Sequence, residues 1–176
     1  MLEKEIIDYK QHEKEICHWV NLKGEYRYKA IIDFLKKKNV ICSWENVTCY
    51  IKYDKRILIN SFKYIVFLEE LYKSFIKQYK DIKQSVLLNY SFDKALNEYL
   101  SIGDKAKYDD INLELLSAER NMINSLRNKV VHNKILLNHL YNGKTLEEFL
   151  NIFVKILPKS YRTGYIKDIC LTNNVI

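Results

Sequence analysis

The sequence predicts an all-α bundle of five to seven helices. Chain breakers are scarce, with 4 Gly and 1 Pro in 176 residues, so tight turns are few. Apolar residues recur at intervals of three and four with charges between them, the period of a helix with one buried side. The length is enough for one domain, residues 1–176, with a sizeable core, and 48% apolar with 29% charged residues makes it globular.

Residues 2–20 carry Leu2, Ile6, Tyr9, Ile16 and Trp19 at near-helical spacing, and Gly24 breaks the pattern. Residues 26–38 resume it with Tyr28, Ile31, Ile32, Phe34 and Leu35, and close on Lys36-Lys37-Lys38-Asn39, where cations meet the negative end of the helix dipole. Ser43 is placed to cap another helix that begins at Trp44-Glu45-Asn46. Residues 47–53 are rich in β-branched and aromatic side chains and read as either a short helix or a strand. Residues 56–78 predict a long helix, apolar over much of its circumference and therefore central to the bundle.

Residues 80–90 give no clear signal. Ser91 starts a short helix that ends before a loop at Gly103-Asp104-Lys105. Asp109 and Asp110 are placed to cap a helix running from about residue 110 into the 130s. Asn142-Gly143 is a turn, and Thr145 with Glu148 three residues on forms a capping box. That helix ends at Leu157-Pro158, and Ser160 caps a last helix through residue 169. No internal repeat or low-complexity linker divides the chain.

The net charge of +7 and a pI near 9.1 suit a polyanionic partner, above all nucleic acid. The same surplus also follows from a Lys-, Ile-, Asn- and Tyr-rich, AT-coded composition. Cys17, Cys42, Cys49 and Cys170 form no CxxC pair, and His12, His18, His132 and His139 complete no ligand quartet with them. No metal or other cofactor is expected, and the cysteines read as reduced, mostly buried thiols. The N-terminus lacks the order of a signal peptide, and the longest apolar run, residues 64–68, is too short to span a bilayer. The expectation is a cytoplasmic protein with no membrane partner.

The helix expected from residue 110 has two unlike sides. Leu115, Leu116, Met122, Ile123, Leu126, Val130, Leu136, Leu137 and Leu140 project to one side and form its core face. Ser117, Arg120, Asn121, Asn124, Arg127, Asn128 and His132 project to the other, with His139 further along and Val131 and Ile135 as apolar intrusions. A merely solvated face would favour Lys and Glu, whereas Asn and Ser are mediocre helix formers. Such a face suits a hydrogen-bonding partner: a second subunit, a ligand, or both. Arg127 and His132 lie five residues apart, about 140° around a regular helix, while Asn128 and His132 share a side. Two facing copies would pool Arg127 and His132 more readily than one helix aims both at one atom.

Arginine offers paired planar donors to a phosphate, histidine titrates in the range useful for proton transfer, and asparagine can orient either. The segment Arg127-Asn128-Lys129-Val130-Val131-His132 resembles the Arg-Asn-x-x-x-His motif of the HEPN family, small helical-bundle proteins of bacterial defence and toxin systems, in the form also found in RNA-guided Cas13 nucleases. The resemblance covers the motif helix and, by pattern, a core of about residues 56–160, leaving residues 1–55 as an N-terminal helical extension. It implies a metal-independent endoribonuclease acting on single-stranded RNA at a homodimeric site and leaving 2′,3′-cyclic phosphate ends, in phage defence or as a toxin. Arg127 and His132 would be the catalytic pair and Asn128 the polar helper. Apart from the resemblance, Arg120, Asn124 and Lys129 of the same helix are the candidates for contacting RNA. An antitoxin or regulatory partner would restrain it. Lys134 stands where the branch regulated by a partner nucleotidyltransferase has Tyr, which sets that branch aside.

Two other readings compete with the nuclease: a catalytically silent HEPN-like module that binds RNA or protein, and a structural interaction protein. Elsewhere, His12 and Cys17-His18 read as surface and packing residues. Lys36-Lys37-Lys38 reads as a solvated helix end with a lesser claim to an RNA backbone contact, and the tyrosines read chiefly as core.

Overall fold

The fold is all-α. The structure, a computed structural model, describes residues 2–139 and 143–173, with side chains through Ile169. Among these residues are nine α-helices: α1 (Tyr9–Lys23), α2 (Glu25–Lys37), α3 (Trp44–Tyr79), α4 (Gln84–Leu88), α5 (Phe92–Leu100), α6 (Leu113–Ala118), α7 (Arg120–Val131), α8 (Leu146–Ile156) and α9 (Lys159–Asn173). The number exceeds the five to seven expected because residues 84–88 form a single-turn helix and the expected motif helix is split into α6 and α7. Leu140 and the Asn142 half of the expected turn lie outside the described residues, as does the side chain of Cys170. No helix among the described residues is long and apolar enough to cross a membrane.

Helix α3 organises the rest. It runs 36 residues without Gly or Pro, and Ser43 Oγ accepts the Asn46 N–H to close its first turn. Residues 47–53, readable as strand, are its second and third turns. Val47, Ile51, Asp54, Ile57, Leu58, Ile65, Leu68, Tyr72 and Ile76 fall on one buried side, and burial of that side overrides the local preference of β-branched residues. Helices α1, α2, α4, α5, α7 and α9 all pack on α3. The position near residue 56 where the resemblance begins its core falls inside this helix.

The ends of the helices follow mostly local rules. Ser91 accepts the Lys94 N–H at the start of α5. Thr145 and Glu148 make the reciprocal capping box of α8. Gly24, at φ 83°, separates α1 from α2. Two ends differ from expectation. Asp109 and Asp110 do not cap the motif helix, because both adopt left-handed backbone (φ 46° and 58°) that no helix can contain. Asn112 caps α6 instead, accepting the Leu115 N–H at 2.9 Å. Ser160 does not cap the last helix, because it lies inside α9; the Asp109 carboxylate instead accepts the Ser160 N–H at 2.7 Å and serves the start of that helix.

Candidate functional site

Helix α7 is the second half of the expected motif helix. A kink at Glu119 (φ −102°, ψ 14°), whose carboxylate pairs with Lys144 at 3.3 Å, separates it from α6. Met122, Ile123, Leu126 and Val130 are buried against the bundle as projected. The helix stops at Val131. Asn133 takes left-handed backbone (φ 50°), its N–H reaches the Val130 carbonyl at 3.2 Å, and the Lys134 N–H reaches the Lys129 carbonyl at 2.8 Å. This is a Schellman closure with Asn in the position usually taken by Gly. His132 is therefore the C-cap residue, exposed at the helix end, and not part of a helix continuing through the 130s. Leu136 and Leu137 are buried, but from the following loop.

The polar side of α7 divides in two. At its start, Arg120 Nη1 approaches Asn97 Oδ1 at 3.5 Å and Asn124 Nδ2 donates to Asp93 Oδ1 at 2.5 Å, while Asn97 donates to the same carboxylate at 3.2 Å. Arg120 and Asn124 thus join α7 to α5 of their own chain. At the other end, Arg127 is half-buried; Nη1 donates to Asn128 Oδ1 at 3.3 Å and the buried Nε has no acceptor. Asn128, Val131 and His132 are exposed beside it. The guanidinium is held at its root with donors still to spend, and the imidazole is open to solvent.

The segment after His132 is fixed by residues from the first third of the chain. Arg27 Nη2 of α2 donates to the Asn133 carbonyl at 2.7 Å, and Lys55 Nζ of α3 donates to Asn133 Oδ1 at 2.7 Å. Asp54, fully buried, accepts the Leu136 and Leu137 N–H groups on one oxygen at 2.8 and 2.9 Å, and its other oxygen has no partner. Lys37 Nζ donates to Asn138 Oδ1 at 2.8 Å, and His139 Nε2 lies 3.4 Å from Ser125 Oγ of α7. Residues 1–55 are therefore part of what positions the motif.

Burial and charge tune this region. Burial raises the Asp54 pKa, against the pull of the Leu137 and Leu136 amides and of Arg27 and Lys55. Lys129 is half-buried, and burial first, then the charge of Lys134, lowers its pKa, with Asp54 opposing. Burial, and then Lys129, lowers the pKa of His139 and favours its neutral form. Among the described residues no group of three or more His, Cys, Asp or Glu is placed to hold a metal ion.

Arg27, Lys55 and Asp54 are the residues that sequence reasoning missed. The first two lie 106 and 78 residues from Asn133, beyond any local pattern. Asp54 left a trace: it occupies a core position at helical spacing from Val47, Ile51 and Leu58, where a carboxylate needs a partner. Compared with protein-family models, curated proteins and solved structures, the chain matches none.

Proposed function

We propose that this protein is a HEPN-type, metal-independent endoribonuclease that cleaves single-stranded RNA at a site shared by two copies of the chain. The observation that carries the reading is the end of α7, where the buried Arg127 Nε has no acceptor, His132 is exposed at the cap, and Arg27 of α2 and Lys55 of α3 reach the adjoining Asn133. The motif resemblance and the +7 charge point the same way.

In this reading an RNA 2′-OH attacks the adjacent phosphorus as the bond to the 5′-oxygen breaks. His132 transfers a proton, either from the attacking hydroxyl or to the leaving oxygen. Arg127 stabilises the negative charge that builds on the phosphorane oxygens, and Asn128 orients the guanidinium or a phosphate oxygen. The products carry a 2′,3′-cyclic phosphate and a 5′-hydroxyl. On a regular helix the five-residue offset of Arg127 and His132 sets them about 140° apart, and in this reading a second copy supplies the complementary group. Such an enzyme belongs in the cytoplasm, in phage defence or as a toxin, and a regulatory partner covering the His132 end would hold it silent.

The test is incubation of the full chain with labelled single-stranded RNA in EDTA. Cleavage that survives chelation, leaves cyclic phosphate ends and disappears in both Arg127→Ala and His132→Ala is the expected result. Binding without cleavage establishes the silent module instead. A monomer that neither binds nor cleaves RNA sinks the proposal.

A further inference from the structure

The loop after His132 leads somewhere. Its residues are held along α2, Asn133 by Arg27 and Asn138 by Lys37, a span of ten helical residues or about 15 Å. Arg27, Lys55 and Lys37 make these bonds to neutral amide groups, and buried Asp54 interacts electrostatically with the first two. At the far end, among the described residues, a cavity of about 750 Å³ opens between α2, α3, α8 and α9. One side is aromatic: Phe34 and Tyr50 lie 5.8 Å apart centroid to centroid, and Tyr50 and Tyr53 6.3 Å. Val154 of α8 also lines it, and His139, Glu147 and the exposed Lys38 supply polar groups.

We propose that this cavity is a nucleobase subsite of the RNA path, reached a few nucleotides from His132 along a cationic track over α2. The inference rests on the reading of the chain as an RNA-acting protein and adds to it the element that selects sequence. The volume is in the range of pockets that take drug-sized ligands and admits a base with its sugar. Ring faces accept any base by stacking. A neutral imidazole and a carboxylate at the wall offer both a donor and acceptors for a base edge. The lysines at the C-terminal end of α2 place positive charge where the sugar–phosphate chain would pass. Aromatic rings beside polar groups suit a base better than a purely aliphatic ligand or a free anion, neither of which uses both.

The test uses the full-length His132→Ala protein, so that binding is read without cleavage, and the probes are the four 5′-nucleoside monophosphates and ribose 5-phosphate. Binding is followed through the tyrosine ring signals in NMR. At least one nucleotide is expected to bind, with ribose 5-phosphate failing to compete. Val154→Trp, which fills the cavity, and Tyr50→Leu, which removes one ring face at small cost in packing, should each weaken it at least about fivefold, the low end of what one base–aromatic stack supplies. Tyr50→Leu decides the matter if Val154→Trp does not fold. No response to any nucleotide, equal competition by ribose 5-phosphate, or unchanged binding in a folded variant would overturn the subsite. These outcomes are independent of cleavage: a nuclease that binds no mononucleotide loses only the subsite, and a silent protein that binds one through Tyr50 retains it.

Discussion

The two ends of α7 carry the same residue types and use them differently. At the first turn Arg120 and Asn124 find their partners on α5, with the Asp93 carboxylate as the shared acceptor. At the last turn Arg127 donates to the neighbouring Asn128, its buried Nε has no acceptor, and His132 stands exposed at the cap. A polar face on a helix is therefore no single signal. One end is joinery between helices, and the other is left with unspent donors. The difference lies in the neighbours: α5 brings a carboxylate to the first end, while α2 and α3 bring cations to the second.

The sharpest way to break this contrast is to remove each end in turn. Arg127→Ala and His132→Ala should each lower RNA cleavage by about 10²–10⁴-fold with the melting temperature nearly unchanged. Arg120→Ala and Asn124→Ala should lower the melting temperature and leave cleavage within about threefold. The reverse pattern would move the site to the α5 end. Mixing the two inactive variants, refolded together, should restore part of the activity if two copies share a site; no recovery in a verified mixed dimer argues for a site within each chain.

Next in size is Asp54. Asp54→Ala strands two buried N–H groups and should cost about 2–4 kcal/mol in denaturant unfolding. Asp54→Asn keeps an acceptor but abolishes the titration. The folded-state pKa of Asp54 is raised, so the native protein holds this proton more tightly than the unfolded chain does. Its contribution to stability is complete below the ordinary Asp range and is lost as pH rises through the raised value. The melting temperature of the native protein relative to Asp54→Asn should therefore fall as pH rises from about 4, the ordinary Asp value. A flat difference would mean that the two states titrate alike.

The smallest effects concern the helix closures. Helices α2 and α7 end in the same way, on Asn39 and Asn133 in left-handed backbone with paired return bonds. Replacement by Gly suits that backbone in both places. Asn39→Gly should shift stability by less than about 1 kcal/mol. Asn133→Gly should also lose the Lys55 bond, and with it some of the order of the His132 loop, visible as faster amide exchange at residues 134–138. Equal behaviour of the two variants would show that the Lys55 contact does not order the loop.

What could be read in the sequence was what is local. Ser43, Ser91 and Thr145 with Glu148 announce helix starts because cap and N–H lie three residues apart. The buried stripe of α7 from Met122 to Val130 follows the helical period and appears where it was projected. The end of α7 was misplaced because buried Leu136 and Leu137 continue an apolar pattern that looks helical, while their amides in fact bond to Asp54. Asn133 held the information needed, as the residue best able to replace Gly in a left-handed cap. The Asp pair at 109 and 110 misled for the opposite reason: Asp favours helix starts, and Asp109 does serve one, α9, some fifty residues away. Asn128, Arg127 and His132 were legible as residue types. The company they keep, Arg27, Lys55 and Asp54, arises only from tertiary contact.

The continuity of α3 has a consequence for dissecting the chain. A fragment starting at residue 56 has the sequence of the motif but begins mid-helix, without Ser43 to start the helix, Asp54 to receive the Leu136 and Leu137 amides, or Lys55 and Arg27 to meet Asn133. Shortening at the boundary that motif similarity suggests would yield a piece whose His132 loop has lost its moorings, so inactivity of such a piece would report on the cut and not on the chemistry. Cuts at the helix junctions keep whole helices; one at Gly24 leaves α2 and α3 intact but removes Asp8, which accepts the Trp44 N–H at the start of α3.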